Sequence, residues 1–293
     1  MNESNLGLSN NFFTNKEDND PILEYKQIST SDIIQKKINI GYIPFYRTDI
    51  NGILSITLHK LEEMRENKYP IKLGVQHVLP IDPYKFIHIH RYKKYLSVAK
   101  TSFINLPSAS GMLWMSRMLK RELPQTITTV SYAMSLLRLA HAKEYTIFLV
   151  GTSQPILEKL YLNLNRSFPN IRIVGRHHGF LKGVAKQRVL EALKKTDPHI
   201  ILLGLGFKNE MKWIYENKGN LGNCILVSMN GYLDILAGAR KKNPNFVETR
   251  EYGWLWRAIN RPHRWPRLFS IFWWVLKVLY WKMFKAKTMT GEI

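Results

Sequence analysis

Seven short apolar runs, most separated from the next by a helix-like stretch, constrain this 293-residue chain more than any other feature. They are INIGYIPFY (Ile38–Tyr46), IKLGVQHV (Ile71–Val78), SFINLP (Ser102–Pro107), TIFLVGT (Thr146–Thr152), IRIVG (Ile171–Gly175), HIILLGLG (His199–Gly206) and CILVSMNG (Cys224–Gly231). A strand that is apolar on both faces has both faces covered, and a helix after each strand returns the chain for a parallel neighbour. The pattern therefore predicts an α/β fold, a largely parallel sheet covered by helices. The helix-like stretches include PYKFIHIHRYKKYLSVAK, read as one helix, and one beginning near Lys208.

Such sheets bind ligands beyond the carboxyl ends of their strands. That rule singles out GTSQP, GRHHGFLKG, GLGFKN and MNGYLD, and within them Gly151, Thr152, His178, Gly179, Gly204, Gly206 and Asp234. The two glycines of GLG allow close backbone approach, and the helix behind them offers free N–H groups to a phosphate. Asp234 can accept a hydrogen bond from a sugar hydroxyl, or can simply favour a helix start through the helix dipole. His177 and His178 can bond a sugar or diphosphate, or can be solvated turn residues. His88 and His90 lie two apart with no carboxylate or cysteine set around them, and no Asp-x-Asp lies within residues 36–248. Neither a metal site nor a cofactor is expected.

Residues 1–35 read as a disordered polar arm, 36–248 as the folded domain and 249–293 as a basic, aromatic appendage. In the appendage Arg257, Arg261, Arg264 and Arg267 recur at spacings of four, three and three, which put them on one helix face suited to phosphates. The run from Leu268 to Trp281 is shorter than the roughly 18 to 20 residues of a membrane-spanning helix. On a helical wheel Arg264, Arg267, Ser270, Lys277, Lys282 and Lys285 share one arc, opposite Trp273, Leu276, Leu279, Tyr280, Met283 and Phe284. That segregation suits a helix lying in the headgroup plane of an anionic membrane. The other reading is a terminal helix that packs its aromatics on the protein's own core or on a second subunit, which leaves a homo-oligomer open.

Lys and Arg outnumber Asp and Glu by 43 to 22, for a net charge of +21, so the partner is anionic. No zinc-finger spacing, RNP-like strand or Arg/Gly repeat is present, and nucleic acid is not expected. Cys224 is the sole cysteine, which excludes an intrachain disulfide and a cysteine-based zinc site. The first thirty residues lack the basic start and apolar run of a secretory signal, so the expected location is cytoplasmic, peripherally associated with the inner face of the membrane.

Four ordered blocks carry a resemblance: FLVGTSQPILEKLYLNLNRSFPNIRIVGRHHGF, ILLGLGFKNEMKW, GYLDILAG and GWLWRAINRPHRWPRL. Together, across about Ile38 to Leu268, the chain resembles the WecG/TagA/CpsF family of bacterial glycosyltransferases. The resemblance implies a Rossmann-like core that moves an N-acetylmannosamine-type sugar from a UDP donor to a polyprenyl-diphosphate-linked acceptor in cell-surface polysaccharide synthesis. It also adds Glu210 as a donor-binding residue and implies that the tail arginines close the site over the lipid diphosphate. The family's general-base aspartate aligns here with Ser110, which is not a base at neutral pH without an activating partner. Two readings follow: a transferase with a relocated base, for which Asp82, His77 and His178 are the candidates, or a non-catalytic paralogue that binds nucleotide-sugar or lipid diphosphate in an assembly complex.

Overall fold

A computed structural model describes residues 37–66, 73–181, 183–240, 273–276, 278–281 and 283. The polar arm and Arg257, Arg261, Arg264 and Arg267 lie outside them. The chain opens with a hairpin, β1 (Lys37–Ile40) and β2 (Ile43–Tyr46), followed by helix α1 (Ile50–Glu66). Then come β3 (Val75–Ile81), α2 (Pro83–Arg91), α3 (Lys93–Lys100), β4 (Ile104–Pro107), α4 (Ser110–Met118) and α5 (Thr129–Lys143). The second half runs β5 (Thr146–Gly151), α6 (Gln154–Ser167), β6 (Arg172–His177), α7 (Val184–Thr196), β7 (Ile200–Gly204), α8 (Phe207–Asn217), β8 (Cys224–Ser228) and α9 (Leu233–Leu236).

Six strands form one sheet in the order β4-β3-β8-β7-β5-β6, and every neighbouring pair is parallel. The predicted Rossmann-like sheet is therefore present. β7 and β8 are buried along their whole length, as their unbroken apolar sequence requires. Leu54, Leu137, Leu160 and Leu236 of α1, α5, α6 and α9 pack on one face, in a core that also holds Ile147 and Leu149. Phe86, Val98, Met112, Leu193 and Met211 of α2, α3, α4, α7 and α8 pack on the other, with Phe148 and Val150.

Two sequence expectations are corrected. Ile38–Tyr46 is not one strand but an antiparallel hairpin, because Gly41 and Tyr42 both take left-handed conformations (φ 56° and 65°) and reverse the chain. The turn is held beneath α2, where His90 Nε2 lies 2.6 Å from the Gly41 carbonyl. PYKFIHIHRYKKYLSVAK is likewise two helices, since Tyr92 is extended (φ −123°, ψ 118°) and ends α2 before α3 begins. The break lets Phe86 and Ile89 of α2 and Val98 and Ala99 of α3 all reach the same core.

Candidate functional site

The helices after β5 and β7 leave on opposite faces: Leu157 and Leu160 of α6 join one core, Met211 and Ile214 of α8 the other. The adjacent ends of β5 and β7 thus flank a topological switch point, where open α/β sheets place a ligand crevice. Gly151, Thr152, Gly204 and Gly206 all come from these two ends.

Backbone hydrogen bonds lock the crevice walls together. Thr152 N donates to Gly204 O at 3.2 Å, Gly179 N to Thr152 O at 2.8 Å and Met229 N to Leu203 O at 2.7 Å. The glycines have different jobs. A side chain on Gly151 would strike the Gly204 backbone, and one on Gly204 would meet Leu233 Cδ1 at 2.5 Å, so these two serve packing within the protein. Gly206 differs: its φ is +81° and, among the described residues, no non-neighbouring atom lies within 4 Å of where a Cβ would sit. It is the glycine of GLG that faces open space, directly before α8, whose first amides have no intrahelical partner.

Thr152 takes a left-handed conformation (φ 56°) and its Oγ1 donates to Asp234 Oδ1 at 2.6 Å. The bond spans the crevice mouth from β5 to α9 and fixes one carboxylate oxygen; Oδ2 carries no described partner. At the β6 end, Arg176 is held by Glu158 at 3.0 Å and lies over the Tyr161 ring at 4.1 Å. His177 Nδ1 sits 2.7 Å from the His178 carbonyl, and Phe180 N donates to His178 Nδ1 at 3.2 Å, so the imidazoles partly serve the turn itself.

Glu210 is 1 % exposed and stands behind the crevice rather than at its surface. Its Oε1 accepts from Leu205 N (3.0 Å), Gly206 N (3.2 Å) and Asn230 N (2.7 Å), tying the loop after β7 to the loop after β8. Burial pushes its pKa up to about 7, opposed by the nearby Lys85 ammonium and the amide donors. Because the folded value exceeds the unfolded 4.5, the favourable contribution is complete below about pH 4.5 and is lost as pH rises through about 7. The difference is on the order of 3 kcal/mol. Glu210→Gln is expected to flatten the fall in thermal stability between pH 5.5 and 8, which thermal melts at a series of pH values will read. An undiminished slope would assign the titration to another group.

Asn230 is a site residue that sequence reasoning passed over. It takes a left-handed conformation (φ 52°) at the end of β8, and both polar atoms of its side-chain amide are buried without a hydrogen-bond partner among the described residues. Buried orphan polar atoms are rare and call for a reason. The available signal was the Asn-Gly pair directly after a strand.

The base candidates separate clearly in space. His77 is 2 % exposed within β3, its ring nitrogens 2.8 Å from Ser102 Oγ and 3.0 Å from Ser228 Oγ. Burial and the Lys218 charge bring its pKa down to about 3, so it stands as a neutral cross-strand connector. His178 directly follows β6, at the far edge of the sheet from β4. Ser110 opens α4 and is buried. Asp82 caps α2, its Oδ1 accepting from Lys85 N at 2.8 Å, and is half-buried at the end of β3. β3 and β4 are neighbours, and Pro83 lies against Gly111: a Cβ on Gly111 would meet Pro83 Cγ at 2.5 Å. Of the three candidates, only Asp82 adjoins Ser110.

Trp274 flanks the same corner. Its ring lies 5.2 Å from Trp114, and Trp281 lies 5.9 Å from Phe86 and 5.4 Å from His90. Trp274, Val278 and Trp281, at spacings of four and three, bury one stripe of the tail helix on α2 and α4. The opposite stripe, Trp273, Leu276, Tyr280 and Met283, is 41–73 % exposed. The packing reading of the tail therefore holds for one stripe, while Trp273, Leu276, Tyr280 and Met283 of the predicted apolar arc face outward. No helix among the described residues is long and apolar enough to cross a membrane.

A curated relative from Bacillus subtilis (strain 168), an N-acetylglucosaminyldiphosphoundecaprenol N-acetyl-beta-D-mannosaminyltransferase, is 26% identical over 187 residues, 64% of this chain and 72% of the relative. Its namesake from Staphylococcus aureus (strain MW2) is 26% identical over 196 residues, 67% of this chain and 74% of the relative. The family description "Glycosyl transferase WecG/TagA/CpsF family" matches residues 38–288, nearly the whole folded region and the tail, and the chain belongs to that family.

Proposed function

We propose that the protein transfers an N-acetylhexosamine-type sugar, N-acetylmannosamine by analogy with its relatives, from a UDP donor to a polyprenyl-diphosphate-linked acceptor. The observation that carries this reading is the gathering of the Thr152–Asp234 bond and the turn at Gly206 at the switch point where β5 and β7 end. The donor diphosphate sits at the start of α8, where unpartnered amides and the helix dipole favour an anion. Asp234 Oδ2 and the Asn230 amide receive sugar or ribose hydroxyls. From β7 to β3 is two strand spacings, roughly 10 Å, so a nucleotide-sugar seated at α8 extends its reacting carbon towards Asp82.

Asp82 then acts as general base. Its carboxylate takes the proton of the acceptor hydroxyl as that oxygen attacks the sugar's anomeric carbon and UDP departs with the bonding pair. The tail arginines hold the acceptor diphosphate, and the exposed stripe of Trp273, Leu276, Tyr280 and Met283 rests in the interface of an anionic inner leaflet.

Incubation with a panel of UDP-sugars and polyprenyl-diphosphate N-acetylhexosamine, read by mass spectrometry, is expected to give a lipid product longer by one N-acetylhexosamine. No product from any pair would overturn the reading. The buried serine in the base position favours a second one, a silent paralogue. A UDP-sugar that raises the melting temperature without turnover would select it.

A further inference from the structure

The chain carries a second concavity, outside the crevice, that the transfer reaction leaves without a role. It lies where α2 meets α3, against α8, and has a volume of about 420 Å³. Arg91, Lys93, Lys94 and Lys212 line it together with Tyr92, Tyr95 and Tyr215, and Glu216 is its only acid among the described residues. That carboxylate is already engaged by Lys186 at 2.7 Å, with Lys212 at 4.0 Å. Arg91 and Lys93 have no partner among the described residues.

Four cations thus converge on one cavity with one committed counter-charge. The arrangement also works against local helix electrostatics. Lys93 and Lys94 occupy the first turn of α3, where the helix dipole disfavours positive charge, and the Tyr92 side chain supplies no cap. The aromatic side is equally ordered. Lys94 lies over the Tyr215 ring at 5.4 Å, and the Tyr92 and Tyr95 rings stand 5.1 Å apart. Tyr95 also meets Phe207, the first residue of α8, at 5.9 Å.

We infer that this cavity binds a phosphate-bearing ligand, with Arg91, Lys93, Lys94 and Lys212 on the phosphate oxygens and the tyrosines against the attached carbon skeleton. Guanidinium and ammonium groups are the standard partners of phosphate, and a tyrosine ring covers an apolar or sugar-like body at low entropic cost. An anionic phospholipid headgroup and a soluble phosphorylated molecule share this chemistry. The position suits the first: α2, which ends at Arg91, also carries Phe86 and His90, the residues that dock Trp281 of the tail. The inference does not rest on the transferase reading.

The test compares wild type with Arg91→Gln/Lys93→Gln and with a charge-matched control, Lys194→Gln/Lys195→Gln, on exposed α7 positions. Binding of inorganic pyrophosphate is measured by calorimetry, and binding to phosphatidylcholine vesicles with and without phosphatidylglycerol by sedimentation. All three proteins are expected to melt alike. Loss of one class of pyrophosphate site in the cavity variant alone, with vesicle binding roughly 10- to 30-fold weaker, supports a lipid headgroup ligand. The same loss with unchanged vesicle binding supports a soluble phosphate ligand. Pyrophosphate binding equal in all three proteins, or vesicle binding weakened equally in both variants, overturns the inference.

Discussion

Asp82→Asn is expected to lower the rate of sugar transfer by roughly two to four orders of magnitude, the usual cost of removing a general base. The fold has little reason to change, because an asparagine oxygen can keep the cap on Lys85 N at 2.8 Å. Donor binding should also survive, since Asp82 stands at the β3 end and the proposed nucleotide site at β5 and β7. The informative readout is therefore kcat against donor KM, measured alongside the shift in melting temperature that a UDP-sugar produces. A fall in kcat with donor KM unchanged places the carboxylate in the chemical step. Equal rates in wild type and variant would remove Asp82 from it. Ser110→Asp tests the same corner from the other strand: if Ser110 stands where the resemblance puts the base, a carboxylate there should rescue part of the activity lost in Asp82→Asn.

The second large effect is structural. Gly151→Ala is expected to destabilise the protein by about 2–4 kcal/mol, combining backbone strain with overpacking. The residue has φ +144°, which L side chains rarely adopt, and the new methyl group would run into the Gly204 backbone. A flexible side chain could swing aside; a carbonyl inside a strand pair cannot. Denaturant melts should show the loss in midpoint, and the surviving folded protein should bind UDP-sugar more weakly because β5 and β7 are forced apart at the crevice. A midpoint within experimental scatter of wild type would mean that the two strand ends are more loosely joined than the Thr152 N to Gly204 O bond indicates.

The sheet was legible because β5, β7 and β8 are apolar on both faces, and only a covered parallel strand demands that. The hairpin was not, because the turn needs Tyr42 at φ 65°, a conformation tyrosine seldom adopts and that tertiary contact with α2 imposes here. The break at Tyr92 has no glycine or proline to announce it; competition between α2 and α3 for one core decides it. Strand-end logic singled out Thr152, Gly206 and Asp234, which the fold brings to neighbouring strand ends. It did not reveal that Asp234 is held by Thr152, that Gly204 serves Leu233, or that Glu210 is enclosed, since all three depend on which loops become neighbours. The tail helix shows the same limit. A helical wheel separates apolar from basic residues, yet it assigned no partner to Trp274, Val278 and Trp281, the stripe that touches the protein.

Glu210 also bears on how the protein can change shape. One carboxyl oxygen gathers three amides from two loops, and such bonds contribute about 0.5–1.5 kcal/mol each. Parting the loops would break at least one of these bonds in a dry interior. This wall is consequently preorganised: a ligand seated there meets it in its final form, and binding spends little ordering entropy. Any closure that shields the reaction from water must come from elsewhere on the molecule, against a wall that holds still.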